Sequence, residues 1–338
     1  MFFLSDNTAA VAPEIMAALQ AANDGFAASY GEDAWSARLD AVFSHFFDAP
    51  VRVFPVISGT SANALALTTL VPPYGGVFTH RDAHIVRDEC GAVEAMTGGA
   101  RLTLLDGAGG RIVPTTLLEA IRANPANVHT IQPSALSITQ CTEFGQCYRP
   151  DELRRLCKVA HELRLHVHMD GARFANALVF LDCHPADLTA RAGVDVLSFG
   201  ATKNGALAAE AVVFFNLDLV RDFELRRKRA GHLLSKSRYL SAQLLAYIET
   251  GVWQRNARHA NLLAADIGKA AATRLVLPVE SNEVFLRLSP TEAGELRTAG
   301  FQFHDWGAAD SGEYRFVVSW QQAHHDVDTL TEVLRRLR

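Results

Sequence analysis

Asp170 and Lys203 are two residues whose types and settings make chemical sense as a pair. VHMDGAR reads as a short apolar strand from His166 to Asp170, with Asp170 at its carboxyl end and the turn residue Gly171 next. Val194 to Phe199 reads as a second strand, after which Gly200, Ala201 and Thr202 carry the chain into Lys203. In an open α/β sheet, ligands sit outside the carboxyl ends of the strands, so both side chains point toward one crevice. A lysine amine forms a Schiff base with the aldehyde of pyridoxal phosphate, and the cofactor's pyridinium nitrogen needs a carboxylate partner. The carboxylate keeps that nitrogen protonated, and the ring then accepts electrons from a bond broken at the substrate's Cα. Either residue alone reads more plainly as a surface lysine or a capping aspartate. Together, at the ends of successive strands, they favour the cofactor.

Other residues could serve the same crevice. Val51 to Ile57 is a β-branched run broken by Ser58-Gly59-Thr60-Ser61 before the helix SANALALTTL. Strand, small-residue turn, helix aims free backbone N–H groups and a helix dipole at one point, which suits a phosphate. Simple capping by Ser58 or Thr60 explains the same residues equally well. His84, near the start of a helix running through HIVRDECGAVEAMTGG, would stack on the face of a flat cofactor, although a lone histidine is more often a capping or core residue. Thr202, next to Lys203, is expected at the cofactor as well. Ser5, Asp6, Asn7 and Thr8 read as turn and cap residues ahead of the first helix. Glu210, in the strand AAEAVVFF, reads as a rim or salt-bridged glutamate. Only a short turn separates that strand from its predecessor, so an antiparallel course is expected.

The elements that position these residues follow from alternation. Strands alternate with helices from residue 51 to 203, which indicates βαβ units and a mostly parallel sheet. Helical pattern dominates from Leu217 to Leu275, and strand, helix, strand, strand, helix close the chain. This predicts a large domain over residues 1–245, with an N-terminal arm, and a small C-terminal α/β domain over 246–338. At 338 residues, 20% charged and 49% hydrophobic, the chain has the composition of an ordinary globular protein. Its net charge of -5 argues against a nucleic-acid surface. The basic run RDFELRRKRAGH reads as a solvated helix face. No stretch resembles a signal peptide or a membrane span. The five cysteines lack CxxC spacing and read as reduced thiols, with no metal site and a cytoplasmic setting.

With these pieces in place, the chain resembles the threonine aldolase family, among the fold type I pyridoxal phosphate enzymes. The resemblance spans nearly the whole length. It rests on SDNT, YGED, SGTSAN, the histidine in DAHIVRDECGA, HMDGAR, ATKNG and the late arginine in EYRFVVS. In this order and at this length, the set is most similar to the low-specificity L-threonine aldolases. The resemblance implies a mostly parallel, seven-stranded sheet flanked by helices, with a small second domain. It also implies retro-aldol cleavage of L-threonine, L-allo-threonine and related L-β-hydroxy-α-amino acids to glycine and an aldehyde. Lys203 would carry the cofactor, Asp170 the ring nitrogen, His84 the ring face, and Gly59 and Thr60, in the turn opened by Ser58, the phosphate. Arg173 would serve cofactor and substrate carboxylate, with Ser5 and Arg315 also on the carboxylate. Tyr30 and Arg238 would enter from a neighbouring subunit of an obligate homo-oligomer.

There is a departure. Many members carry a histidine, contacting the substrate's β-hydroxyl, in the loop that here reads SITQCTEFGQCY. Gln140 or Thr142 is left to contact that hydroxyl, and neither serves as a base at neutral pH. Proton removal then falls to His84, a bound water or the cofactor phosphate. Another activity on the same cofactor, β-elimination or transamination, would use the same Asp and Lys. A non-catalytic binding protein of this fold ranks lower because Lys203 is present. A nucleotide-binding protein ranks lower because neither GxGxxG nor a Walker lysine follows Val51 to Ile57.

Overall fold

A computed structural model describes residues 1–123 and 125–337. The N-terminal stretch forms α1 (Pro13–Ala22) and α2 (Leu39–Phe47). From β1 (Arg52–Val56) onward strands and helices alternate: α3 (Gly59–Leu70), β2 (Gly75–His80), the short α4 (His84–Arg87) and α5 (Ala92–Thr97), then β3 (Arg101–Leu105) and α6 (Pro114–Ala123). The alternation continues through β4 (Gln132–Thr139), α7 (Pro150–Glu162), β5 (His166–Gly171), α8 (Phe174–Leu181) and β6 (Val196–Gly200). After β7 (Glu210–Phe214) come α9 (Phe223–Arg229), α10 (Arg238–Glu249) and the long α11 (Val252–Ala271). The chain closes with β8 (Glu283–Arg287), α12 (Pro290–Thr298), β9 (His304–Trp306), β10 (Glu313–Val317) and α13 (His324–Arg336).

The large sheet runs β1-β7-β6-β5-β4-β2-β3. β7 pairs antiparallel with both β1 and β6, as the short turn before it requires. The pairs β2 with β3, β2 with β4, β4 with β5, and β5 with β6 are parallel. This is a seven-stranded, mostly parallel sheet, as the resemblance implies. Both faces are covered, and successive side chains show it. Val53, Leu197, Phe199, Ala211 and Val213 enter one core with α2, α7, α8 and α10. Phe54, Val56, Val196, Val212 and Phe214 enter the other with α3 and α5. A strand's period of two makes this two-sided burial cost a near-continuous apolar run.

Close approach at the strand ends matters for the site. A Cβ on Gly200 would lie 2.7 Å from the Ala172 Cα, and one on Gly171 would lie 2.9 Å from the Ser198 carbonyl oxygen. Only glycine lets the ends of β5 and β6 come this close, which brings the turn after each strand to a common rim.

The second sheet, β8-β10-β9, is antiparallel and packs with α11, α12 and α13 around a core of its own. The N-terminus joins that core: Phe3 packs against Phe301 and Phe316, and Val317 N–H donates to the Phe3 carbonyl at 2.9 Å. Residue 245, the expected boundary, lies inside α10, and Leu244 and Tyr247 on either side of it pack into the same large-sheet core. Among the described residues, no helix is long and apolar enough to cross a membrane. The single helix expected after His84 is two, broken at Asp88–Gly91, where Gly91 sits at φ +73°. The break turns Glu89 into the interior, beside Asn63 and His84.

Candidate active site

A cleft of about 280 Å³ opens at the carboxyl ends of β4, β5 and β6 and is lined by Lys203, Asp170, His84, Arg173 and the start of α3. Asp170 is buried at the end of β5, opposite Thr139 on β4 and Ser198 on β6. Both of its oxygens are held: Ala172 N–H donates to Oδ1 at 2.9 Å and Asn63 Nδ2 to Oδ2 at 2.8 Å. The same Asn63 nitrogen donates to Glu89 Oε1 at 2.8 Å, and that oxygen lies 2.8 Å from His84 Nδ1. His84, Glu89, Asn63 and Asp170 thus form one hydrogen-bonded chain. The Glu89 hydrogen bond, outweighing burial, raises the His84 pKa above that of a free imidazole. Beneath, His168 is fully buried between the Ser137 and Ser198 hydroxyls, each at 2.9 Å, and burial lowers its pKa to about 4. Neutral at physiological pH, it adds no charge under Asp170.

Lys203 sits in a single 3-10 turn, Thr202–Asn204, closed by Gly205 at φ +116°. The turn is anchored from below. Asn204 Nδ2 donates to the Tyr247 hydroxyl at 2.7 Å and the Trp253 carbonyl at 2.8 Å, while Asn256 Nδ2 donates to the Asn204 carbonyl at 3.0 Å. Thr202 Oγ1 accepts from Ala209 N–H at 3.2 Å. Glu210 corrects its expectation. It is 7% exposed, makes no salt bridge among the described residues, accepts Ala201 N–H at 3.0 Å and lines the cleft. It is buried because β7 returns between β1 and β6 with Glu210 opposite both Gly200 and Val56. Burial pushes its carboxyl up to about 7.

Ser58 caps α3, its Oγ accepting from Ser61 N–H at 3.3 Å. The N–H groups of Gly59 and Thr60 begin the helix and have no carbonyl one turn earlier, and both residues line the cleft. Ser58 thus does the capping, and the N–H groups of Gly59 and Thr60 are left facing the cleft.

A second charged group lies where the N-terminal arm meets β8. Arg173 grips Asp6 with two bonds, Nε to Oδ2 at 2.8 Å and Nη2 to Oδ1 at 3.1 Å, and its Nη1 is 3.3 Å from Glu283. Asp6 opens the 3-10 turn its setting in SDNT suggests, and its side chain is also buried; Asn282 donates to it as well, at 3.1 Å. Arg315, on β10, lies 4.7 Å over the Trp306 ring, and burial lowers its pKa. Ser5 caps the turn Asp6–Thr8 by accepting from Asn7 N–H at 3.1 Å, and Asn7 lines the cleft.

Four expected residues are not brought together with these. Gln140 is fully buried, with its amide paired to the backbone of Tyr148 at both ends, at 3.0 and 2.9 Å. That corrects its expected contact with substrate, because the loop after β4 uses the side chain to hold its own shape. Thr142 is likewise engaged, donating to the Gly109 carbonyl at 2.8 Å. Tyr30 lies under Lys228, 4.3 Å from its ring centroid, and Arg238 donates to the Gly25 carbonyl at 3.2 Å; neither lines the cleft of its own chain. The unforeseen residues are Asn63, Glu89, Glu143, Glu210, Asp6 and Glu283. Asn63 had a signal, since it falls one helical turn after Gly59 on the face turned to the cleft.

This donor set fits pyridoxal phosphate: an amine, a carboxylate held by two N–H donors, a histidine ring at the rim, and a helix start for the phosphate. The Cβ position of Gly59 meets nothing within 4 Å, so the start of the helix is open to an anion.

A family profile described as beta-eliminating lyase matches residues 3–290. A low specificity L-threonine aldolase from a Pseudomonas species is 42% identical over 98% of this chain and 96% of its own length. One from Pseudomonas aeruginosa is 41% identical over 99% of this chain and 96% of its own. Among solved structures, a Leishmania major threonine aldolase superposes with a TM-score of 0.93 at 26% identity, covering 99% of this chain and 98% of that one.

Proposed function

The chain belongs to the beta-eliminating lyase family, and from that premise we infer that it cleaves L-threonine, L-allo-threonine and related L-β-hydroxy-α-amino acids into glycine and an aldehyde. It is a pyridoxal phosphate-dependent carbon–carbon lyase of the low-specificity L-threonine aldolase kind. The observation that carries the reading is Lys203 and the doubly held Asp170 on one cleft, at the ends of adjacent strands.

When bound, pyridoxal phosphate holds the substrate's amine and delocalises the electron pair left on Cα. Lys203 holds the cofactor, Asp170 keeps its ring nitrogen protonated, and His84 covers the ring. Ser58, Gly59 and Thr60 receive the phosphate, with Thr202 beside Lys203. Arg173 and Arg315, with Ser5, hold the substrate carboxylate; a planar guanidinium suits that task. Fixing the carboxylate decides which bond at Cα breaks.

The test is product analysis with L-threonine and L-allo-threonine, with and without added cofactor. Glycine and acetaldehyde in equal amounts are expected; a 2-keto acid in their place would favour β-elimination or transamination. Borohydride reduction followed by peptide mapping should label Lys203, and label on Lys158, Lys228 or Lys236 would overturn its role.

Assembly enters the reading too. Tyr30 and Arg238 lie away from their own cleft, and Phe26 on the same surface is fully exposed. They fit a homo-oligomer built on at least a two-fold dimer, each subunit lending Tyr30 and Arg238 to its partner. Mixed Lys203→Ala and Arg238→Ala subunits should then regain activity, and a fully active monomer would refute the sharing. The five free thiols favour a reducing compartment, the cytoplasm.

A further inference from the structure

Retro-aldol cleavage needs a group that takes the proton from the substrate's β-hydroxyl, and the loop after β4 holds one. Of the three carboxyls lining the cleft, Asp170 has both oxygens hydrogen-bonded and Glu210 is engaged by Ala201 and Thr202. Glu143 differs. Its Oε1 accepts from His84 N–H at 2.7 Å and from the Thr139 hydroxyl at 2.9 Å, while its buried Oε2 has no hydrogen-bond partner among the described residues. One oxygen is fixed and the other is free.

The loop cannot easily move Glu143 away. Thr142 N–H donates to the Gln146 carbonyl and Gly145 N–H to the Thr142 carbonyl, both at 2.8 Å. Gly145 sits at φ +66°, and a Cβ there would come within 2.9 Å of Ser281 Oγ. His84 is the weaker claimant, because its Nδ1 is committed to Glu89 and the resulting upward pKa shift favours the imidazolium, which cannot accept a proton.

Resting on the aldolase reading above, we propose that Glu143 is the catalytic base for the β-hydroxyl. The proton passes from the hydroxyl to Glu143 Oε2, and the O–H electron pair becomes the second bond of the aldehyde carbonyl. The Cα–Cβ pair stays on Cα, which takes up a proton and leaves within glycine, while Glu143 releases its own proton after the aldehyde departs. Burial, then the charge of Asp170, pushes the Glu143 carboxyl up to about 7, so near neutrality it is a stronger base than an ordinary carboxylate. The titratable groups around it are Asp170 on β5, His84 on α4, Tyr148 at the end of its own loop, and Lys203 across the cleft.

Glu143→Gln keeps an acceptor for His84 and Thr139 but removes the base. It should lower kcat for L-allo-threonine by about 10²- to 10⁴-fold, with KM little changed and cofactor absorption intact. It should also leave exchange of the glycine α-proton in deuterated water near its original rate, since that reaction has no β-hydroxyl. The acid limb of the kcat profile should vanish in the variant and return in part in Glu143→Asp. In the cofactor-free protein, the infrared difference between wild type and Glu143→Gln should show one protonated carboxyl band titrating near 7 that is lost in the variant, the band of Glu210 remaining in both. Unchanged kcat and acid limb in the variant would overturn the proposal, as would parallel loss of cleavage, exchange and cofactor, which would mark a structural role. A wild-type protein that exchanges glycine but yields no aldehyde would instead overturn the aldolase reading on which the proposal stands.

Discussion

Asp170 and Glu283 are both carboxyls buried beside the cleft, and they are held in opposite ways. Asp170 meets one N–H at each oxygen. Glu283 has no hydrogen bond at either oxygen among the described residues, although Arg173 Nη1 lies 3.3 Å away. Burial raises the Glu283 pKa against the pull of Arg173 and Arg315. A buried polar atom without a partner is costly, so the contrast marks two kinds of site. The Asp170 end is finished before anything binds and suits a resident cofactor. The Arg173 end is charged but incompletely bonded, and suits a carboxylate that arrives and leaves with each turnover.

The strongest attack on this contrast is Asp170→Asn. An amide cannot keep the ring nitrogen protonated as a carboxylate does, so kcat should fall by about 10²- to 10³-fold while cofactor still binds. Near-normal turnover would show that the finished end does not need its charge.

A smaller effect, on the other end alone, is expected of Arg315→Lys. An ammonium loses the planar fork, and KM for L-allo-threonine should rise by about ten- to a hundredfold with cofactor affinity unchanged. If cofactor affinity falls in step, the two ends do not divide the work.

The smallest effect concerns Glu210, under Lys203, and is read in stability. Its folded value of about 7 lies above the ordinary 4.5, so the protonated form is favoured in the fold. That contribution is whole below about 4.5 and is lost as pH rises through about 7. Glu210→Gln, which carries no such loss, should gain on the wild type between pH 5 and 8 by on the order of 2 kcal/mol, measured by urea unfolding of cofactor-free protein. A constant difference across that range would show that Glu210 does not titrate in the fold.

Much of the molecule was legible beforehand. The alternation of apolar runs with helical periods foretold the parallel sheet, and the short turn before Glu210 foretold the antiparallel β7. The two glycines beside Asp170 and ahead of Lys203 advertised strand ends. What was not legible lay in contacts between distant stretches. Asn63 reaches Asp170 across 107 residues, and Asp6 reaches Asn282 across 276. Gln140 misled because it stands in the loop where many family members carry a substrate-contacting histidine, whereas Tyr148 takes both ends of its amide.

By itself the sequence determined which chemistry was on offer, because a lysine and an aspartate at strand ends are set by local periodicity and turn residues alone. Only the tertiary structure decided the state of the remaining carboxyls. Whether Glu89, Glu143, Glu210 or Glu283 is a solvated charge or a tuned acid depends on how much water and how many donors surround it. Those surroundings come from strands and loops that meet only when the sheet closes over the cleft.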